Sequence, residues 1–158
     1  MFANYVSNIE QLLDDESWEQ AIRQAADLPR IAVALAHPSL ECTASSVSEW
    51  CQLWIRRRGN ARLPGADLEA LRRAAAELAS PGARSLVPMD ALRRLQWSRH
   101  VRVMPRGFRV RIDELPASVA ERVTLCTALI EAARRWYAGS ACHDSTVQAN
   151  LSRLAVLR

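Results

Sequence analysis

The stretch from Pro116 to Gly139 constrains the fold of this chain more than any other. Val119, Val123, Cys126, Ile130, Ala133 and Tyr137 follow a seven-residue repeat, and Leu125, Leu129 and Trp136 add a second apolar stripe. A helix apolar over so much of its surface has to sit at the centre of a fold, with other elements packed around it. Pro116 and a Ser118–Glu121 capping box mark its expected start, and Gly139 its end.

The segments around it also read as helices. Phe2, Val6, Ile9 and Leu13 share one helical face, which Asp14-Asp15-Glu16 closes. Ser17 with Gln20 is a capping box for a second helix that presents Trp18, Ile22 and Ala25. Pro29 suits the first turn of a short third helix, Arg30 to Ala36, which His37-Pro38 stops. Ser45 or Ser46 is placed to cap the next helix, with Val47, Trp50, Cys51, Trp54 and Ile55 as its stripe. Arg56, Arg57 and Arg58 fall in its last turn, where basic residues complement the helix dipole, and Gly59 suits the left-handed cap. Residues 60–66 read as a linker. Leu68, Leu71, Ala75 and Leu78 predict a helix over about 67–79, followed by a loop over 80–85. Pro88 opens a helix with Met89, Leu92 and Leu95 inward and Arg93 and Arg94 outward. A last helix, about Ser145 to Leu157, turns Val147, Leu151 and Leu154 to one side.

One segment breaks this pattern. Arg99 to Ile112 alternates strictly on both sides of Pro105-Arg106-Gly107, the signature of a β-hairpin. Val101, Val103, Phe108, Val110 and Ile112 would line one face, and His100, Arg102, Arg109 and Arg111 the other, with Arg106 at the tip. Pro105 cannot take the positive φ of a two-residue hairpin turn, so a four-residue loop, Met104 to Gly107, is required. The expected class is therefore mainly α: a compact domain of about six to eight helices with one hairpin at about 100–112. A single domain over 1–158 is expected, with a division into parts 1–59 and 66–158 as the alternative.

Composition narrows the function classes. Of the 158 residues, 49% are apolar, too many for a disordered chain. The apolar runs are too short to span a membrane, and the first residues lack the basic and apolar regions of a signal peptide, so a cytoplasmic protein is expected. All 21 basic residues are arginine. A GC-rich bacterial genome accounts for this most simply; selection against lysine is the other reading. Charge is uneven along the chain. Residues 1–28 hold six acids against Arg23 alone, whereas residues 91–112 hold seven arginines and no acid. The acidic N-terminal segment is thus one candidate partner for the basic one.

Chemical motifs are absent. Cys42, Cys51, Cys126 and Cys142 lack metal-knuckle or redox spacing and read as small buried residues. Cys142-His143-Asp144 is a run of three potential ligands, but neighbouring residues rarely hold one ion together, so no metal and no cofactor are expected. His37, His100 and His143 stand without a nucleophile elbow, P-loop, dinucleotide fingerprint or paired carboxylates, so no enzyme is expected. His37 is expected to cap carbonyls at a helix end.

Two function classes remain. The first is a protein-interaction module, an adaptor or accessory subunit that meets an acidic protein surface through Arg93, Arg94, Arg99, Arg102, Arg106, Arg109 and Arg111. A second surface would comprise Trp50, Trp54, Arg56, Arg57 and Arg58, since Arg and Trp dominate interface hot spots. The second class is a winged-helix-like nucleic-acid binder, because helix 67–79, helix 88–98 and the hairpin occur in that order. The loop between those helices is longer than the usual turn, and the net charge of +4 is modest for a dedicated DNA binder.

Overall fold

The computed structural model describes residues 1–56, 68–79, 89–98, 111 and 114–156. Among these residues the chain forms seven α-helices: α1 (Phe2–Asp14), α2 (Trp18–Ala36), α3 (Ala44–Trp54), α4 (Leu68–Ala79), α5 (Met89–Trp97), α6 (Ala117–Gly139) and α7 (Ser145–Val156). A 3-10 turn, Ala141–His143, precedes α7. The mainly helical class holds. The hairpin expected at about 100–112 lies outside the described residues except for Arg111, as do Arg57, Arg58, Gly59, the linker and the 80–85 loop.

α6 buries Val123, Cys126, Ala128, Leu129, Ile130, Ala132, Ala133 and Trp136, a set that wraps most of the helix. Thr124 and Thr127 fit within it because their hydroxyls donate to the Ala120 and Val123 carbonyls, at 2.7 and 2.8 Å. The principal partner of α6 is α2. Both helices carry alanines on their buried faces, Ala21, Ala25 and Ala32 on α2 and Ala128, Ala132 and Ala133 on α6, and small residues let helix axes approach closely. α1 closes one side of this pair. Its Phe2 ring meets Trp136 edge-on at 5.3 Å and stacks on Tyr137 at 5.1 Å. One contiguous apolar core draws on all seven helices. No described helix is long and apolar enough to cross a membrane.

α1 ends as the acidic run predicts, through a Schellman motif. Ser17 N donates to Leu12 O at 2.8 Å and Glu16 N to Leu13 O at 3.1 Å, with Glu16 at φ 58°, a position where glycine is usual. Several other expectations are corrected. Pro29 does not open a third helix; it lies inside the continuous α2. An interior proline costs about 3 kcal/mol. The apolar face of Ala21, Ala25, Leu28, Ala32 and Leu35 continues through Pro29, and its burial offsets that cost. Ser17 is the N-cap of α2 but makes no side-chain cap bond. α3 is capped by Thr43, whose Oγ1 accepts from Ser46 N at 3.1 Å, not by Ser45 or Ser46. Pro116 directly precedes α6, without the Ser118–Glu121 box. On α7, Leu151 packs partly buried against the core as expected, and Asn150 joins Val147 and Leu154 as a fully buried residue. Its Nδ2 donates to Leu35 O at 3.0 Å and His37 O at 2.9 Å, so it satisfies carbonyls left open at the C-terminal end of α2. His37 does not cap carbonyls through its ring; its Nδ1 accepts from Ser39 N at 3.2 Å.

Candidate protein interface

α5 packs on α2, α1 and α7 through Ala91, Leu92 and Leu95. Its other side carries Met89, Arg93 and Trp97, four residues apart and therefore on one face. Met89 is 50% and Trp97 73% exposed, and Arg93 is exposed with no ion pair among the described residues. Met89, expected to face inward, thus faces solvent: with Ala91 seated in the core, position 89 falls outside the buried arc. An indole this exposed loses the burial that normally places tryptophan in a core.

Arg94 was expected to point outward beside Arg93, and it does not. Its Nε donates to Asp27 Oδ2 at 2.7 Å, and Asp27 is 3% exposed. The same oxygen accepts from Tyr5 OH at 3.1 Å, while Arg30 lies 3.6 Å from Oδ1. This carboxylate therefore joins α1, α2 and α5 at one point. Burial, followed by the Asp27 charge, pushes the Tyr5 phenol well above its ordinary range. The bond to Asp27 likewise raises the Arg94 guanidinium. Around this hub, Asn8 Nδ2 donates to Gln24 Oε1 at 2.9 Å, and Ser98 Oγ lies 2.6 Å from Leu95 O and 3.0 Å from Met1 O. Above it lies a cleft of about 450 Å³ lined by Tyr5, Asn8, Gln24, Asp90, Arg93, Arg94, Trp97 and Ser98. α5 thus presents an aromatic ring, a thioether and a guanidinium with no ion pair among the described residues, beside a concavity underlain by the Asp27 cluster.

The acidic N-terminal segment does meet arginines, on α5 and α6. Besides Asp27–Arg94, Glu10 Oε2 accepts from Arg134 at 2.8 Å and Glu19 pairs with Arg122. Glu10 is 3% exposed, and burial raises its carboxyl above the ordinary 4.5, with Arg134 pulling the other way and Asp14 adding to the rise. A raised carboxyl pKa means the folded state holds its proton longer than the unfolded state. Stability should therefore fall as pH climbs from about 4.5 through the folded value. Glu10→Gln should remove that slope while keeping the packing, as urea unfolding across this pH window would show. An unchanged slope would assign it to another group.

The remaining candidates are dispersed. Arg111 is exposed and pairs with Glu114 at 3.1 Å. Arg99, Arg102, Arg106 and Arg109 lie outside the described residues. Trp50 is 5% exposed and belongs to the core, with only an edge at the surface; Trp54 is half-buried against Gly139. Both pack inward because the stripe they share with Val47 and Cys51 is the one α3 buries. Arg56 falls beyond α3, yet its Nε reaches back to Leu53 O at 3.2 Å and satisfies an open carbonyl there. Asp144 Oδ1 accepts from Val147 N at 3.0 Å at the start of α7, and Cys142 Sγ donates to Ala138 O at 3.4 Å. Cys42, Cys51 and Cys126 are buried; burial pushes the last two thiols up to about 12. α4 and α5 do not form a helix-turn-helix pair: α4 sits on α3, α2 and α6 and α5 on α2, α1 and α7, so they share α2 without packing on each other.

Sequence reasoning missed Trp97 and Met89. The signal was present: positions 89, 93 and 97 recur at spacing four, out of phase with Leu92 and Leu95. No protein family, curated protein or solved structure matches this chain. The functional reading rests on the geometry of this face.

Proposed function

We propose that this chain is a protein-interaction module, an adaptor or accessory subunit of a larger bacterial cytoplasmic assembly, which binds an acidic protein surface through the outer face of α5. The observation that carries the reading is Trp97, 73% exposed, one turn beyond the exposed Arg93 and lining a cleft with it. Tryptophan and arginine are the residues enriched at the centres of interfaces, and methionine adapts its shape to a partner. Arg94 cannot serve equally, because Asp27 already occupies it. The arginines at 99, 102, 106 and 109 follow in sequence and lie outside the described residues. The nucleic-acid reading gains no support from α4 and α5, which lack the pairing that such a motif needs.

Affinity capture with the full chain, run with and without nuclease, tests the reading. A nuclease-resistant protein partner is expected. Trp97→Ala should weaken its capture about 30-fold, the usual cost of an anchoring tryptophan, and Arg93→Glu at least as much. Both substitutions sit on an exposed face and should leave the helical spectrum intact. Capture that disappears with nuclease, or that survives both substitutions, would overturn the proposal.

A further inference from the structure

A second concavity, of about 380 Å³, lies between α2, α3 and α6. Its sign is opposite to that of the α5 face. Val33, Trp50 and Trp136 contribute to an apolar lining, and Leu53, 54% exposed, extends it to the surface. Glu41 and Glu49 also line it; both are exposed and neither has an ion pair among the described residues. Trp50 adds an independent observation. It is 5% exposed, yet its indole N–H meets no acceptor. Buried donors are almost always satisfied, so an orphan in a residue that lines the concavity shows that packing there is incomplete.

We propose that this groove docks a basic amphipathic segment of a partner protein. Apolar side chains of the segment would cover the Val33, Trp50 and Trp136 lining, and lysines or arginines would meet Glu41 and Glu49. The argument from charge selects this occupant: an acidic segment would bring like charges against both carboxylates. The groove is separate from the α5 cleft. On α2 the cleft uses Gln24 and the groove begins at Ala32, eight residues or about 12 Å further along the axis. The proposal is therefore independent of the α5 reading, and the two together would give one chain two docking faces of opposite charge.

The test is a titration of the full chain with a synthetic amphipathic helix of about five turns, leucine on one face and arginine on the other. Calorimetry and the tryptophan emission of Trp50 and Trp136 give the readouts. Saturable one-to-one binding is expected. The paired substitution Glu41→Arg and Glu49→Arg should weaken it about ten-fold or more, Leu53→Asp similarly, and a peptide with glutamate in place of arginine should bind about ten-fold more weakly or not at all. Arg93→Glu and Trp97→Ala should leave the affinity unchanged. Glu41→Gln with Glu49→Gln provides a milder variant, should the reversal perturb the fold. Equal binding of the glutamate peptide, insensitivity to the Glu41 and Glu49 changes, or no saturable binding would overturn the proposal. So would self-association of the free chain that Glu41→Arg/Glu49→Arg and Arg93→Glu each abolish, since the occupant would then be the α5 face of a second copy.

Discussion

Asp27→Ala is expected to lower the unfolding free energy by about 3 kcal/mol, the range for removing one partner from a buried ionic cluster. Asp27 joins α1, α2 and α5 through one side chain, and its removal strands groups on both neighbours. The cost is unequal between them. Arg94, 40% exposed, can turn its guanidinium to water. Tyr5, 2% exposed, cannot, and its hydroxyl retains only the longer contact to Gln24 O at 3.2 Å. Urea unfolding measures the loss, and for a chain of 158 residues it corresponds to a fall in Tm of roughly 6–12 °C. Arg94→Met should cost less in the Asp27→Ala background than alone, because the pair it would break is already gone. A loss below about 1 kcal/mol, or strict additivity of the two changes, would show that burial of Leu92 and Leu95 holds α5 without the hub.

Asn150→Asp is expected to be comparably damaging, by about 3 kcal/mol at neutral pH. The Asn150 amide aims two N–H bonds at the Leu35 and His37 carbonyls. A carboxylate there has no proton to donate and faces the negative end of the α2 dipole. Arg153, 3.2 Å from the Asn150 Oδ1, would offset a fraction of that repulsion from the exposed side. The sign of the pH dependence follows. The introduced carboxyl should have a folded pKa above its unfolded value of about 3.9, so the variant should regain stability as pH falls through the folded value and lose it again as pH rises. Asn150→Ala should cost about 2 kcal/mol with no such slope. Denaturant titrations at two pH values separate the cases, and a pH-independent Asn150→Asp variant would contradict this geometry.

The parts of this fold that were legible in the sequence are those fixed by local periodicity. The α1 face of Phe2, Val6, Ile9 and Leu13 is buried throughout, and α4 and α6 fall close to their expected ranges. The misreadings arose where a local rule competed with packing. Pro29 signals a helix start in isolation, and only the burial of Ala25, Leu28, Ala32 and Leu35 around it shows why α2 runs through it. Ser17, Ser45 and Ser118 have cap-forming side chains, yet a cap depends on backbone angles that the residue type does not fix. Asn150 and Arg94 could not be placed from sequence, because their partners lie 113–115 and 67 residues away. Charge counting found the acidic and basic segments but not their pairing: the acids near the N-terminus divide themselves among Arg94, Arg122 and Arg134 on two helices. Of the candidate interface, Arg93 was read correctly as outward, whereas Trp97 went unnoticed because attention to apolar periodicity follows the buried face.

The cysteines carry a consequence for how this molecule's motions can be timed. Cys42 sits between α2 and α3, Cys51 in α3 and Cys126 in α6, all buried with raised thiol pKa values, whereas Cys142 is half-exposed. A thiol reagent attacks only thiolate that solvent can reach. Cys142 should therefore react first, and each of the others only when its own neighbourhood opens. Their separate labelling rates, compared with that of the unfolded chain, would work as three local clocks. Equal rates for Cys51 and Cys126 would mean that α3 and α6 come apart in one cooperative event; a faster Cys51 would mean that the groove side of the molecule loosens before its centre does.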